Sequence, residues 1–300
     1  MERLYRALIR LLEGIPLRPR AALFEGLMGC LWAIDSRHRR IARVNLRIAF
    51  PEMGDREASR IIRASYLRMG TSAAEFLELP RIDRAYIDRH VRVEGLEHLR
   101  ATAAQQGLGP LILTGHFGNW ELSSHACAIV HEPVAFIVRP LKNRYLDRIV
   151  TERRECVGNR VITKFDSAKE VMRTIRRNMA VGILIDQNVD FHKGVLVDLF
   201  TKKAYTTDGI ARLALALRTN IHSGFIYRDP VRKFHHVLRF GPPLPMDVHA
   251  PREEEVLRLT RRCNEELEHA IRRDPVQWFW LHRRWKTRPP GEPKLYEEGR

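Results

Sequence analysis

Short apolar segments alternate with helical patterns through the middle of this chain. Runs rich in β-branched or other apolar residues, typical of strands, occupy residues 111–114, 134–138, 181–185 and 221–227. Helical patterns separate them at residues 122–130, 168–178 and 208–218. This order predicts an α/β fold with a mostly parallel central sheet flanked by helices.

The two ends of the chain extend this prediction. The first third, about residues 1–90, has helical patterns, and residues 237–240 form a further strand that can pair antiparallel. A long helix after Pro251 has an apolar stripe at Val256, Leu259, Cys263, Leu267 and Ile271. We divide the chain into an N-terminal helical segment (1–50), an α/β domain (51–290) and a flexible tail (291–300).

Charge and cysteine content restrict the partners and the compartment. The formal net charge of +16 favours an anionic partner: a nucleic acid, an anionic membrane surface, or an acidic protein or substrate. The four cysteines form no C-x-x-C pair, so neither a zinc cage nor a disulfide framework is predicted, and a reducing compartment fits best.

The N-terminal segment is predicted to lie on a membrane surface. It lacks the continuous apolar core and cleavage site of a secretory signal. Its longest apolar stretch, residues 21–34, includes Glu25 and is shorter than the roughly 18 residues that a spanning helix needs. Residues 37–48 follow as an amphipathic helix rich in arginine. The alternative is an ordinary surface helix whose arginines are solvated.

The most informative residues follow the strand at 111–114, where His116-Phe-Gly-Asn-Trp-Glu121 begins. Ligand sites in such sheets gather at the carboxyl ends of strands. If Asn119 caps the next helix, Glu121 lies in its first turn and can orient the His116 imidazole as a general base. The chain has no G-x-S-x-G nucleophile elbow. A metal site of His116, Glu121 and His125 is the less favoured alternative, because H-E-x-x-H spacing is absent.

This segment resembles the H-x4-E form of the H-x4-D/E acyltransferase signature, as found in the lipid A biosynthesis lauroyl/myristoyl acyltransferases. Further similarity, in the order typical of that family, occurs at residues 44–52, 138–143, 185–187 and 276–289. It therefore covers nearly the whole chain. One departure is Leu199-Phe-Thr-Lys202, where the family usually has a Phe-Phe-Gly-like turn.

The resemblance implies a glycerolipid acyltransferase-like fold and a specific reaction. A fatty acyl chain would pass from acyl carrier protein to a hydroxyl of a lipid A precursor at the cytoplasmic face of the inner membrane, without a cofactor or a metal. His116 would be the base and Glu121 its partner. The residues expected to bind substrate, either from the resemblance or from their position near these motifs, are Asn119, Arg139, Asp186, Gln187, Arg283 and Arg284.

Several of these roles have alternatives. Arg139 would stabilise an oxyanion or a phosphate, or form a structural ion pair, and Asp186 would position Arg139 or a backbone turn. Residues 278–285 combine aromatic and basic side chains, which predicts either an interfacial belt or buried tryptophans; we expect at least one to be buried. The alternative enzyme is a phosphatidylinositol mannoside-type acyltransferase that uses acyl-CoA. A nucleic-acid-binding protein is disfavoured, because no zinc-finger or RNP-like pattern is present.

Overall fold

The computed structural model describes residues 1–163 and 167–296, and its first third is helical as predicted. The helices are α1 (Glu2–Glu13), α2 (Leu17–Ile34), α3 (Ser36–Ala49), α4 (Asp55–Phe76) and α5 (Arg84–His90). Acidic side chains cap two of them: Asp35 accepts from the His38 N–H at the start of α3, and Asp83 accepts from the Tyr86 N–H at the start of α5.

The rest of the described chain alternates between strands and helices. Its elements are β1 (Val91–Glu94), α6 (Leu96–Gln106), β2 (Leu111–Thr114), α7 (Trp120–Val130), β3 (Ala135–Val138), α8 (Arg144–Glu155), β4 (Arg160–Thr163), α9 (Ser167–Arg176), β5 (Val181–Leu184), β6 (Val195–Leu199), β7 (Lys202–Thr206), α10 (Gly209–Leu217), β8 (Ile221–Arg228), β9 (His236–Pro243) and α11 (Arg252–Arg273).

The central sheet is mostly parallel, as predicted. Among the described residues it has seven strands in the order β1-β9-β8-β2-β5-β3-β4. The five strands from β8 to β4 run in one direction; β9 pairs antiparallel with β8, as its sequence allowed, and β1 runs parallel to β9. A separate antiparallel hairpin, β6–β7, was not predicted. The carboxyl ends of β2, β5 and β3 therefore lie side by side at one edge.

Helices cover the sheet and bury the strands. Leu111, Leu113 and Val181 have no exposed surface, which explains why these strands are continuously apolar. The predicted stripe of α11 is confirmed, because all five of its residues are fully buried. The first turn of α11 is acidic and its last turn basic, as the helix dipole favours.

The N-terminal helices attach to the α/β domain and leave apolar side chains exposed. Helix α2 packs on α4 so closely that a side chain at Gly70 would come within 2.7 Å of the Phe24 carbonyl, and α1 packs on α8. The exposed apolar side chains of α1 and α2 include Leu4, Leu8, Leu11, Leu23, Leu27, Leu31 and Ile34. No helix in the described ranges is both long enough and apolar enough to cross a membrane.

One residue of the segment 291–300, which is expected to be a flexible tail, makes an ordered contact. The Tyr296 hydroxyl donates to Asn45 Oδ1 and accepts from the Trp285 N–H at 3.0 Å. Asn45 is fully buried, so this contact ties the end of the described chain to α3. Residues 297–300 of the expected tail lie outside the described residues.

Candidate active site

Three neighbouring strand ends position the residues of the site. His116 and Asp186 each lie two residues beyond a strand, after β2 and β5 respectively, and Arg139 directly follows β3. Because β2, β5 and β3 are adjacent and parallel, their carboxyl ends bring these residues to the same edge. This is where ligand sites occur in open α/β sheets.

Asp186 holds His116 through two hydrogen bonds. His116 Nδ1 lies 2.9 Å from Asp186 Oδ1, and the His116 backbone N–H donates to Asp186 Oδ2 at 2.8 Å. The Trp278 indole N–H also donates to Oδ2, at 2.9 Å. Burial alone would raise the pKa of Asp186, but these partners lower it to about 2. The carboxylate is therefore ionised and accepts the Nδ1 proton, which leaves Nε2 with a free lone pair.

This arrangement corrects the expectation for Glu121. Its carboxylate does not bond to the imidazole; it accepts from Arg154 Nε at 2.9 Å and from the same guanidinium's terminal nitrogen at 2.5 Å. The reason is geometric: α8 presents Arg154 to the first turn of α7, whereas β5 delivers Asp186 directly beside His116. Asp186 thus has the orienting position. Its bond to the His116 backbone N–H also holds the turn after β2, which is one of the two roles expected for it, whereas no bond to Arg139 is present among the described residues.

The charges around His116 make its imidazole more basic than usual. Burial lowers its pKa, but the charge of Asp186 and its hydrogen bond outweigh that effect, and Glu121 adds to the increase. The pKa is therefore raised above its ordinary value of 6.5. The side chain is 24% exposed, so the ring remains accessible. The rings of Trp120 and Phe279 lie beside it, with centroids 5.2 Å and 6.2 Å away.

Asn119 caps α7, as predicted, but its burial contradicts a role in substrate binding. Its side-chain oxygen accepts from the Leu122 N–H at 3.2 Å, and its amide nitrogen donates to Glu75 at 2.9 Å. Only 1% of Asn119 is exposed, so a substrate would not reach it. Glu75 also pairs with Arg228 and His236 in a fully enclosed cluster. Asn119 therefore anchors the start of α7 to the core.

A glycine and the C-terminal segment support the loop that carries His116. Gly118 has φ +61°, and a Cβ there would lie 1.9 Å from the Ile226 carbonyl oxygen, so only glycine fits. The Gly118 N–H donates to the Gln277 carbonyl at 2.9 Å, and the Phe279 N–H donates to the His116 carbonyl at 3.0 Å. Residues 277–279 therefore hold this loop in an extended, antiparallel contact.

The loop after β5 places Gln187 beside the free nitrogen of His116. Gln187 is exposed, and its amide nitrogen lies 3.5 Å from His116 Nε2. The next residue, Asn188, donates its backbone N–H to His282 Nε2 at 2.8 Å. Burial is the main cause that lowers the pKa of His282 to about 4, so this ring is neutral and able to accept.

The three predicted arginines occupy different environments. Arg139 is exposed at the end of β3, and Arg283 is partly exposed. Arg284 is only 1% exposed and donates to the Tyr205 carbonyl at 2.7 Å and to Thr206 Oγ1 at 2.5 Å. Its guanidinium is used inside the protein, so the expectation that Arg284 contacts substrate is wrong.

The tryptophans of this segment are part of the core. Trp278, Trp280 and Trp285 are each at most 2% exposed, which confirms that at least one is buried and contradicts an interfacial belt built from these three rings. Within residues 1–163 and 167–296, no group of three His, Cys, Asp or Glu side chains is arranged to hold a metal ion.

Comparisons with known proteins match the sequence over nearly the whole chain. A family model described as bacterial lipid A biosynthesis acyltransferase matches residues 2–287. A lipid A biosynthesis lauroyltransferase of Escherichia coli is 27% identical over 87% of this chain and 83% of its own. A palmitoleoyltransferase (26%, 87% and 82%) and a myristoyltransferase (25%, 94% and 84%) of lipid A biosynthesis from the same organism are also similar. The chain therefore belongs to the bacterial lipid A biosynthesis acyltransferase family and is an acyltransferase.

Proposed function

We propose that this enzyme transfers a fatty acyl chain from an acyl carrier protein thioester to a hydroxyl of a lipid A precursor. The observation that carries the proposal is the His116–Asp186 pair, which leaves Nε2 of an accessible imidazole free to accept a proton. The names of the three relatives support lipid A precursors as acceptors. The formal charge of +16 supports an acidic carrier protein as the donor.

The chemistry requires one base and no redox step. His116 Nε2 takes the proton of the acceptor hydroxyl as its oxygen attacks the thioester carbonyl, and Asp186 stabilises the imidazolium that forms. The tetrahedral intermediate then collapses to an ester, and the departing thiolate takes the proton from Nε2. The Gln187 amide, beside Nε2, and Arg139, at the next strand end, supply donors for the developing oxyanion.

Glu121 contributes charge rather than a direct bond to the ring. Its carboxylate raises the His116 pKa and balances the charge of Arg154, which acts in the opposite direction. In this proposal, the acidic member of the H-x4-E motif keeps an arginine from lowering the basicity of the catalytic imidazole. Glu121 is therefore an electrostatic partner of His116, and Asp186 is the partner that orients it.

The apolar side chains of α1 and α2 form the proposed contact with the membrane. Leu4, Leu8 and Leu11 follow helical spacing on α1 and are 52–70% exposed, and α2 adds four more. Exposed apolar faces of this kind, together with a basic protein, suit an anionic lipid interface. We place this contact at the cytoplasmic face of the inner membrane.

The test uses detergent-purified full-length protein, a lipid A precursor and a panel of acyl donors, with products read by mass spectrometry. Acyl carrier thioesters should yield acylated precursor, and acyl-CoA should yield much less. Equal or faster transfer from acyl-CoA would overturn the donor assignment. No acylation of the precursor by any donor would overturn the proposed function.

A further inference from the structure

A basic groove lies between α3 and the C-terminal segment. It encloses about 350 Å³ and is lined by three arginines, Arg37, Arg40 and Arg283, together with Tyr296 and a few apolar side chains. We call this cavity the α3 groove. Among the described residues, no carboxylate forms an ion pair with any of its three guanidinium groups. Within residues 1–163 and 167–296, the groove therefore presents concentrated positive charge without an ion-paired counterion.

The walls of the α3 groove are held together by a buried residue. Asn45, on α3, donates to the Trp280 carbonyl at 2.7 Å and to the His282 carbonyl at 2.8 Å. Its side-chain oxygen accepts from the Tyr296 hydroxyl. Asp35, at the start of α3, has its carboxylate engaged by His38 and by Tyr66. The groove is thus a preformed feature, and the acid that precedes α3 is already bonded.

The α3 groove is connected to the active site through a short chain of contacts. Arg283 follows His282, whose ring accepts from Asn188, and Asn188 lies two residues beyond Asp186. Helix α3 also directly follows α2 in the chain, and Ile34, the last residue of α2, is 78% exposed. The groove is therefore linked to the catalytic edge through His282 and Asn188, and to the proposed membrane-facing surface through the junction of α2 and α3.

A second basic groove provides a comparison. It is lined by Lys169, Arg173, Arg176 and Arg177, with Met172, on and just after α9. Since α9 leads into β5, its carboxyl-terminal end lies at the amino ends of the parallel strands, away from His116. Positive charge alone therefore does not distinguish the α3 groove; its position does.

We propose that the α3 groove binds a phosphate group of the acceptor glycolipid and thereby places the acceptor hydroxyl near His116. This inference rests on the function proposed above. Guanidinium groups bind phosphate through paired hydrogen bonds, and three of them around one cavity suit a dianion. Ile41, Val44 and Leu295 supply an apolar wall for the sugar or acyl part that carries the phosphate.

The test compares two acceptors, a phosphorylated lipid A precursor and the same molecule after phosphatase treatment, in neutral detergent micelles. Arg37→Ala, Arg40→Ala and Arg283→Ala should each raise KM for the phosphorylated acceptor about tenfold, the effect expected for a lost charged hydrogen bond. The same variants should leave KM for the dephosphorylated acceptor and for the donor unchanged. Arg283→Lys, which keeps the charge but loses the planar fork, should fall between wild type and Arg283→Ala.

Arg176→Ala is the matched control, because it removes one exposed arginine from the α9 groove. It should leave every KM unchanged. If the three groove variants changed KM equally for both acceptors, the proposal would be overturned. It would also be overturned if Arg176→Ala changed KM for the phosphorylated acceptor as much as the groove variants do. If instead the groove only attracts bulk phospholipid, the variants would lose sedimentation with anionic vesicles and keep wild-type KM in micelles, which also overturns it.

A binding measurement separates this inference from the proposed function. Equilibrium binding of the two acceptors to wild-type protein and to the groove variants needs no turnover. Tighter binding of the phosphorylated acceptor, lost in the three variants, supports the groove even if acyl transfer is not observed. Acyl transfer without this preference would leave the proposed function intact and contradict the groove.

Discussion

The two carboxylates near His116 lie in different surroundings and act on the imidazole in different ways. Asp186, at the end of β5, has a side chain that is 3% exposed and bonds to the ring directly. Glu121, in the first turn of α7, is 16% exposed and is occupied by Arg154. A carboxylate on a buried strand end has a fixed position and fixes the tautomer of its partner, whereas one paired with an arginine acts mainly through charge.

The largest effect is expected for His116→Ala, which removes the proposed base. We expect kcat for acyl transfer to fall by a factor on the order of 10³ or more, since the variant loses general-base catalysis and its electrostatic support. His249→Ala, at an exposed position, is the control and should keep wild-type kcat. If His116→Ala kept wild-type kcat, His116 would not be the base, and the two carboxylates could not act on catalysis through it.

The second largest effect is expected for Asp186→Asn. The amide keeps the shape of the carboxylate but loses its charge, so it no longer stabilises the imidazolium or enforces the Nδ1–H tautomer. We expect kcat/KM to fall by a factor on the order of 10²–10³. Thermal unfolding should be measured alongside, because Asp186 also bonds to Trp278. If kcat/KM fell no further in Asp186→Asn than in Glu121→Gln, Glu121 and not Asp186 would be the main partner of His116.

Glu121→Gln tests the electrostatic side of the comparison. The variant leaves Arg154 unpaired near His116, which should lower the imidazole pKa and reduce kcat/KM by about 10–100-fold. The double variant Glu121→Gln, Arg154→Gln removes both charges and should recover part of the loss. No recovery in steady-state assays would mean that Glu121 acts by direct contact with a substrate.

The smallest effect is expected for Trp278→Phe, which removes one of the hydrogen bonds to Asp186. Because the two hydrogen bonds that His116 donates to Asp186 remain, kcat should fall by less than about tenfold. Chemical denaturation should show a stability loss of about 1–3 kcal/mol from the smaller buried ring. A fall in kcat as large as that of Asp186→Asn would show that the indole is required to position the carboxylate.

Local features of the site could be predicted from sequence, whereas pairings between distant segments could not. The place of His116 at a strand end, the Asn119 cap and the stripe of α11 each depend on a few neighbouring residues and on periodicity. The His116–Asp186 pair joins positions 70 residues apart and requires β2 to lie next to β5. The sequence predicts that the carboxyl ends of parallel strands converge at one edge, but it does not predict which strands are neighbours in the sheet.

Burial of adjacent polar residues was equally difficult to predict. Arg283 lines the α3 groove while Arg284 is enclosed and bonded to Thr206, although the two have the same side chain. The difference arises from which direction each residue faces in an irregular segment that lacks a helical or strand period. Position in the folded chain, rather than residue type, determines which arginine can meet a ligand.

The most direct test of the central claim is the pH dependence of kcat/KM in wild type and in Asp186→Asn. The base must be neutral to act, so activity should increase as pH rises through the His116 pKa, with a midpoint above 6.5 in wild type. Without the Asp186 charge, burial remains the larger influence, and the midpoint of the residual activity should move to lower pH. An identical midpoint in both proteins would contradict the assignment of Asp186 as the partner of the catalytic base.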